Sequence, residues 1–308
     1  MLKHVVNCSV WLSRCYSTKV DKNVLSKLRK RTGISFINCK KALIKFDNDF
    51  EQAEKWLQEE AKKEGWAKAT KLQDRSMSQG LIGLISDNSA VTMIEVNCET
   101  DFVARTDKFK NFVSNLTSVC HQQNQNGNVR KTMLLKTEAS QMKSGSDGTI
   151  ADIVAMEIGN IGENMQLRRT LFFRATDDFL LGTYMYSSGK QLKIKNCHLG
   201  KFGAVVEFKQ TKNGGNQKLT PPSVIGHQLC QHIVGMNPKS IGSSDEKPNE
   251  NKEEESQLIY QELLVDPEIT VGEMLSENNV TVADFVRFEI GEEIPEESVK
   301  NEETASVL

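Results

Sequence analysis

Two Gly-Lys pairs invite a phosphate-binding reading, Gly189-Lys190 and Gly200-Lys201. A P-loop cradles phosphate with the backbone N–H groups of GxxxxGK[ST] and sets a Lys on the terminal phosphate, so it needs a Gly five residues before the Gly-Lys. Tyr184 and Lys195 stand there instead. Gly159 and Gly162 do not space as GxGxxG, which removes a dinucleotide fingerprint as well. The one tight group of soft ligands is His227, Cys230 and His232. Spacing of three puts His227 and Cys230 on one helical face and leaves His232 off it. No HExxH or CxxC accompanies them, so a packed or surface face accounts for them better than zinc does. With 5 His in the chain, no Ser/His/Asp or Cys/His order stands out. Cys8, Cys15, Cys39, Cys98, Cys120, Cys197 and Cys230 form no regular framework, and their odd number in a 308-residue chain points to a reducing compartment. The residues therefore imply no catalytic group, no metal and no cofactor.

The most unusual local feature is Glu95-Val96-Asn97-Cys98-Glu99-Thr100-Asp101-Phe102-Val103-Ala104-Arg105. A strand ends in polar residues, and one Phe then sits between Asp101 and Val103 just before a helix. Two readings follow. Phe102 caps the core while Asp101 or Thr106 N-caps the helix, which composition alone favours. Alternatively Phe102 is an aromatic wedge on a turn carried by a rigid strand, with an acid beside it, the usual kind of anchor in a protein interface.

The elements that position these residues begin after an address segment. MLKHVVNCSVWLSRCYSTKV is basic, contains Ser and Thr, and has no acid before Asp21, as a mitochondrial transit peptide requires. Arg14 two residues before Tyr16 resembles a matrix-processing pattern and predicts removal of residues 1–16, with the mature chain in the matrix. The net charge of −2 hides a strong asymmetry. Lys and Arg exceed Asp and Glu by 2 over residues 1–18, by 6 over 19–75 and by 5 over 76–244, whereas 245–308 carries 19 acids against 4 basic residues. Such a division points to a charged partner or an acidic tail. No apolar run approaches the ~18 residues of a membrane span, so no membrane partner is expected.

From Val20 to Leu72 apolar residues recur at three and four: Val24 and Leu28, then Ile37, Ala42 and Leu43, then Phe50, Ala53, Trp56 and Leu57. This predicts three short helices over 20–72, the first closed at Gly33, the second capped by Ser35 and the third by an Asp49/Gln52 capping box. Polar residues 68–79 read as a linker. GLIGLIS and AVTMIEVN, flanking Asp87-Asn88-Ser89, predict a hairpin. A helix is expected over 106–121, largely loop with a short helix over 122–148, and a helix over 150–158. Strands are expected at 171–175, 179–186, 192–194 and 204–208, with Ser187-Ser188-Gly189 turning a hairpin. Pro221-Pro222 opens a helix that stops before Asn237-Pro238. The stretch 242–257 has no hydrophobic residue and is expected to be disordered. Short helices at 258–264 and 270–276, a strand at 282–290 and a frayed acidic tail over 294–308 follow. Helices in front of antiparallel sheets with helices on one face make the class α+β.

Five blocks in one order resemble the translation elongation factor Ts family: Leu28-Arg29-Lys30-Arg31-Thr32-Gly33; Cys39-Lys40-Lys41-Ala42-Leu43; EVNCETDFVAR; Ile161-Gly162-Glu163-Asn164 with Arg168-Arg169; and Thr270-Val271-Gly272 through Arg287-Phe288-Glu289-Ile290-Gly291-Glu292. With the transit-like start, the resemblance is to the mitochondrial branch. It implies a guanine nucleotide exchange factor for the GTPase elongation factor Tu, in its nucleotide-free or GDP-bound state, with no direct nucleic-acid contact. It also implies a ubiquitin-associated-like three-helix domain over 20–72, ahead of core subdomains at 80–175 and 176–293. The family's TDFV motif falls on Thr100, Asp101, Phe102 and Val103; there the Asp and Phe push into the partner and disturb its Mg²⁺ and phosphate site. The partner-facing residues of the front domain fall on Arg29, Phe36 and Ile37, where bacterial sequences often have Met at the last two. The acidic insert 243–257 replaces much of a projecting bacterial coiled coil.

Two rival classes use the front domain differently. A ubiquitin-binding adaptor would use 20–72 directly, which a matrix address argues against. An RNA-binding factor would use the basic segments, but their Lys and Arg are interleaved with acids and no aromatic-rich RNA-binding strand is present.

Overall fold

A computed structural model describes residues 20–294, apart from 33, 88, 126–129, 146–147, 177, 190, 212–218 and 244. The address segment, Gly33 and the tail beyond residue 294 therefore lie outside the described residues. The chain divides into two compact units, residues 1–67 and 68–308.

The first unit holds α1 (Lys22–Thr32), α2 (Phe36–Lys45) and most of α3 (Phe50–Leu72). Leu25, Leu28, Cys39, Ala42, Leu43, Ala53 and Leu57 form its core, the helical-period positions of the sequence. Ser35 Oγ accepts from Asn38 N at 3.3 Å. Asp49 Oδ1 accepts from Gln52 N at 2.9 Å, while the Gln52 side-chain amide donates to Asp49 Oδ2 at 3.1 Å. The third helix has 23 residues and is not short. It consumes the first part of the expected 68–79 linker, because Ala, Lys and Glu propagate a helix without needing an apolar face.

The second unit is layered. Its first sheet has the order β3 (Lys131–Leu135), β4 (Met165–Arg174), β2 (Ala90–Cys98), β1 (Gln79–Ser86), β7 (Cys197–Gly200), β6 (Leu192–Ile194), all neighbours antiparallel. The continuous apolar runs of β1 and β2 reflect burial on both faces. Leu81, Ile85, Ile94, Val96 and Cys98 pack on one side with Phe109, Phe112, Val113 and Leu116 of α5 (Asp107–Gln125) and with Ile150, Val154 and Ile158 of α7 (Ile150–Ile161). Ile82, Leu84, Val91 and Met93 pack on the other against Met185, Val205, Val286 and Phe288. Those residues belong to a second sheet, β11 (Val280–Glu289), β8 (Phe202–Gln210), β5 (Leu180–Tyr186). Its far face is covered by Ile225, Leu229 and Ile233 of α8 (Pro222–Met236) and by Val271 and Leu275 of α9 (Val271–Glu277). The class is α+β.

Several expectations are corrected. Ser187-Ser188-Gly189 does not turn a hairpin: β5 pairs with β8 and β6 with β7, so the chain there leaves one sheet for the other. A boundary at 175/176 consequently leaves β6 and β7 in the sheet of the earlier subdomain. Residues 122–148 contain the strand β3 in addition to the expected short helix, α6 (Lys136–Gln141). Residues 258–264 form a 3-10 turn, Leu258–Tyr260, and the two-residue β9 (Glu262–Leu263), which pairs with β10 (Asp266–Thr270). The acidic stretch 243–257, apart from residue 244, is ordered by polar contacts. Glu255 accepts from Asn249 N at 2.7 Å and Gln257 N at 2.8 Å, and Tyr260 Oη donates to Ser243 O at 2.9 Å. Those amide donors hold the Glu255 carboxyl below its ordinary value.

α8 sits on β5 through two glycines. A Cβ at Gly182 would lie 2.7 Å from the Gly226 Cα and carbonyl oxygen. Backbone cannot yield there, so Gly182→Ala is expected to force α8 from the sheet and cost about 2 to 3 kcal/mol, read as a lowered urea midpoint of this unit.

Candidate functional site

The site is built at the exit of β2. Thr100, extended at φ −122°, N-caps the five-residue α4 (Asp101–Arg105), its Oγ1 accepting from Val103 N at 3.3 Å. Two buttresses hold this cap. The Thr100 hydroxyl donates to Glu163 Oε1 at 2.8 Å, and its N–H donates to Glu163 Oε2 at 3.2 Å. Glu99 in turn accepts from Asn164 N at 2.6 Å and pairs with Arg75 at 3.1 Å. Gly162 makes this possible: it ends α7 in the left-handed conformation, φ 91°, which glycine adopts without strain, and so delivers Glu163 and Asn164 to the turn.

On this clamped turn Ala104 is buried and Val103 packs partly against the core. Phe102 points the other way and is 80% exposed, the most exposed large hydrophobic side chain among the described residues. The core-cap reading of Phe102 is thereby overturned. Asp101 pairs with Arg105 across one helical turn at 2.8 Å, so its charge is met within α4. Cys98 Sγ donates to Thr100 O at 3.3 Å. Burial, and then the nearby Glu163 charge, push its thiol up to about 12, which keeps it neutral and unreactive at physiological pH.

In the first unit, Arg29 is exposed on α1. Phe36 and Ile37, in the first turn of α2, are 51% and 66% exposed while Cys39, Ala42 and Leu43 of the same helix face the core. Ile44, also exposed, was not singled out by the sequence pattern. The structure thus brings Thr100, Asp101, Phe102 and Val103 together on one turn and places Arg29, Phe36 and Ile37 in the other compact unit. His227, Cys230 and His232 do not converge on a metal. His227 meets the Tyr184 ring edge-on at 5.0 Å, and Cys230 is fully buried. His232 Nδ1 accepts from Leu264 N at 3.2 Å while Nε2 donates to Gln261 Oε1 at 2.9 Å. That is a neutral tautomer, and burial lowers its pKa.

Glu163 is the residue whose role sequence reading missed. Its signal was present in Ile161-Gly162-Glu163-Asn164, a helix-ending Gly followed at once by an acid. Glu163→Ala removes both acceptors of Thr100. It is expected to cost about 1 to 2 kcal/mol locally and to speed amide hydrogen exchange at Thr100–Val103 without altering exchange in α5.

An α+β core that holds one aromatic side chain outward on a doubly buttressed turn has the form expected of the class of proteins that dock onto other macromolecules. Comparison with known proteins narrows that class. Residues 9–67 match the family described as "Elongation factor Ts, mitochondrial, N-terminal", and residues 99–258 match "Elongation factor TS". The chain is 42% identical over 287 residues to the mitochondrial elongation factor Ts of Aedes aegypti, covering 91% of each chain. It is 41% identical to that of Branchiostoma floridae, covering 94% of this chain and 97% of the relative, and 40% identical to that of Homo sapiens, covering 91% and 86%. The chain belongs to the elongation factor Ts family.

Proposed function

We propose that this protein is a guanine nucleotide exchange factor for mitochondrial elongation factor Tu, working in the matrix during translation elongation. The exposure of Phe102 on a turn fixed from two sides is the observation that supports this most directly. No covalent bond changes in such a step: exchange is a matter of differential binding. Mg²⁺ in the partner demands near-octahedral oxygen ligation and bridges the GTPase to the nucleotide phosphates. A ring driven beside that site need only shift backbone to cost ligation energy and free GDP. Asp101 accompanies Phe102 as part of the same turn, with Thr100 as its cap and Val103 as its root in the core.

Linkage sets a second requirement. A factor that weakens GDP binding is itself weakened by GDP to the same degree, and ordinary couplings of ~1 to 3 kcal/mol give only about 5- to 150-fold. Efficient exchange therefore needs further contacts that favour the emptied GTPase, and Arg29, Phe36 and Ile37 are the exposed residues of the first unit suited to supply them. Neither nucleic acid nor a membrane enters the scheme; no helix among the described residues is long and apolar enough to cross one. Release of a fluorescent GDP from elongation factor Tu, with and without residues 100–103 replaced by Ala and Gly, tests the proposal. Catalysed release that survives the replacement rejects it.

A further inference from the structure

Beside α4 runs a groove of about 610 Å³, lined among others by Asp101, Arg105, Lys110, Ser187, Ser188 and Lys201. Lys201 is the residue at which the chain passes from β7 to β8, and its backbone is fixed on both sides. Its N–H donates to Tyr186 O at 2.9 Å, and its carbonyl accepts from Ile290 N at 3.1 Å.

The charges of the groove do not cancel. Asp101 is paired with Arg105 at 2.8 Å, and Lys110 with Asp107 at 3.3 Å. The Lys201 ammonium has no hydrogen-bond or ion-pair partner among the described residues. Cys98, the other group of acidic character facing it, is a neutral thiol for the reason given above. Partial burial of Lys201 disfavours its charged form, and the nearby Asp101 carboxylate, already paired with Arg105, offsets this only in part. Among the described residues the groove is therefore one negative charge short, and the excess cation is held on the joint between two sheets.

We propose that this groove receives a single carboxylate side chain, an Asp or Glu on a projecting segment of the GTPase that takes Phe102, with Lys201 as its ion-pair partner. The volume is many times the roughly 30 Å³ of one water, so it admits a piece of polypeptide and not merely an ion. The groove shares α4 with Phe102, so a carboxylate seated there fixes the approach of the ring. This inference rests on the exchange-factor reading and adds a specific contact to it. An interfacial pair of this kind acts mainly on encounter rate and its salt dependence.

The test is stopped-flow association of the full chain with nucleotide-free elongation factor Tu over a salt series, for wild type, Lys201→Met, Lys201→Gln and Lys201→Arg. Loss of the charge in Met and Gln is expected to slow association about tenfold at low salt and to flatten the salt dependence, with Arg within about threefold of wild type. Neutral variants that associate within about twofold of wild type at low salt overturn the proposal. So does a defect of equal size at every salt concentration, or an Arg variant as slow as Met. Should Met perturb α4, Gln carries the comparison. The two readings fail separately: a Phe102→Ala chain that still catalyses GDP release removes the exchange mechanism, whereas a defective Phe102→Ala beside a normal Lys201→Met removes only the carboxylate contact.

Discussion

Phe102→Ala is expected to slow factor-catalysed release of GDP from elongation factor Tu by roughly 30- to 150-fold at saturating factor. An aromatic anchor at the centre of an interface carries about 2 to 3 kcal/mol, and each ~1.4 kcal/mol is tenfold in rate. The fold should not register the change. Phe102 is 80% exposed and lies outside the packed clusters, and surface substitutions of this kind stay within about 0.5 kcal/mol. Stability and function separate cleanly here because the turn is held by Thr100, Glu163, Glu99 and Asn164 and not by the ring. Phe102→Leu keeps apolar bulk without the ring's breadth and is expected to fall between Ala and wild type in a stopped-flow release assay.

The largest loss of stability is expected from Glu95→Ala. Glu95 is fully buried in β2, on the face turned toward the second sheet. One carboxylate oxygen accepts from Arg169 Nε at 2.7 Å; the other accepts from Arg168 at 3.0 Å, Gly291 N at 2.9 Å and Asn97 at 3.1 Å. Arg169 also bonds Glu292 at 2.7 Å and lies over the Phe288 ring, 3.8 Å from its centroid. Removing the carboxylate leaves the buried Arg169 with one acid instead of two and takes away the acceptor of Gly291 N in the turn after β11. Breaking a buried pair by deleting one partner costs about 3 to 5 kcal/mol. Urea denaturation should show the transition of the unit spanning 68–308 moved to lower concentration while that of the front helices stays in place. Glu95→Gln, which keeps the shape and loses the charge, should suffer most of the same loss.

What was legible in the sequence is what one-dimensional periodicity encodes. Phe109, Phe112, Val113 and Leu116 announce α5, and the apolar runs of β1 and β2 about a turn announce a hairpin. Missed elements lacked such a signal. β3 is a five-residue edge strand with no buried alternation, and β7 has only four residues, so neither generates a period. The path from β5 to β6 was misread because Ser187-Ser188-Gly189 is turn chemistry, and turn chemistry does not say which strand the chain pairs with next. Order in 243–257 escaped composition altogether, since carboxylate-to-amide bonds such as those of Glu255 fix the backbone without burying apolar area. At the candidate site, local sequence located the turn and left two orientations for Phe102. Only the partner of Thr100, Glu163, which stands 63 residues away, decides which side of the turn faces inward. Lys201 was invisible for the same reason: its missing counter-charge is a property of the groove and not of the Gly-Lys pair that first drew attention.

The most direct test of a ring acting through the partner's Mg²⁺ is to measure release of fluorescent GDP from elongation factor Tu by wild type and Phe102→Ala, first in millimolar Mg²⁺ and then in excess chelator. With the cation already gone the wedge has little left to disturb, so the ratio of the two rates should collapse from its value in Mg²⁺ to within about threefold. A ratio that is equally large with and without Mg²⁺ would contradict the mechanism, and would mean that Phe102 serves affinity for the GTPase rather than displacement of its metal.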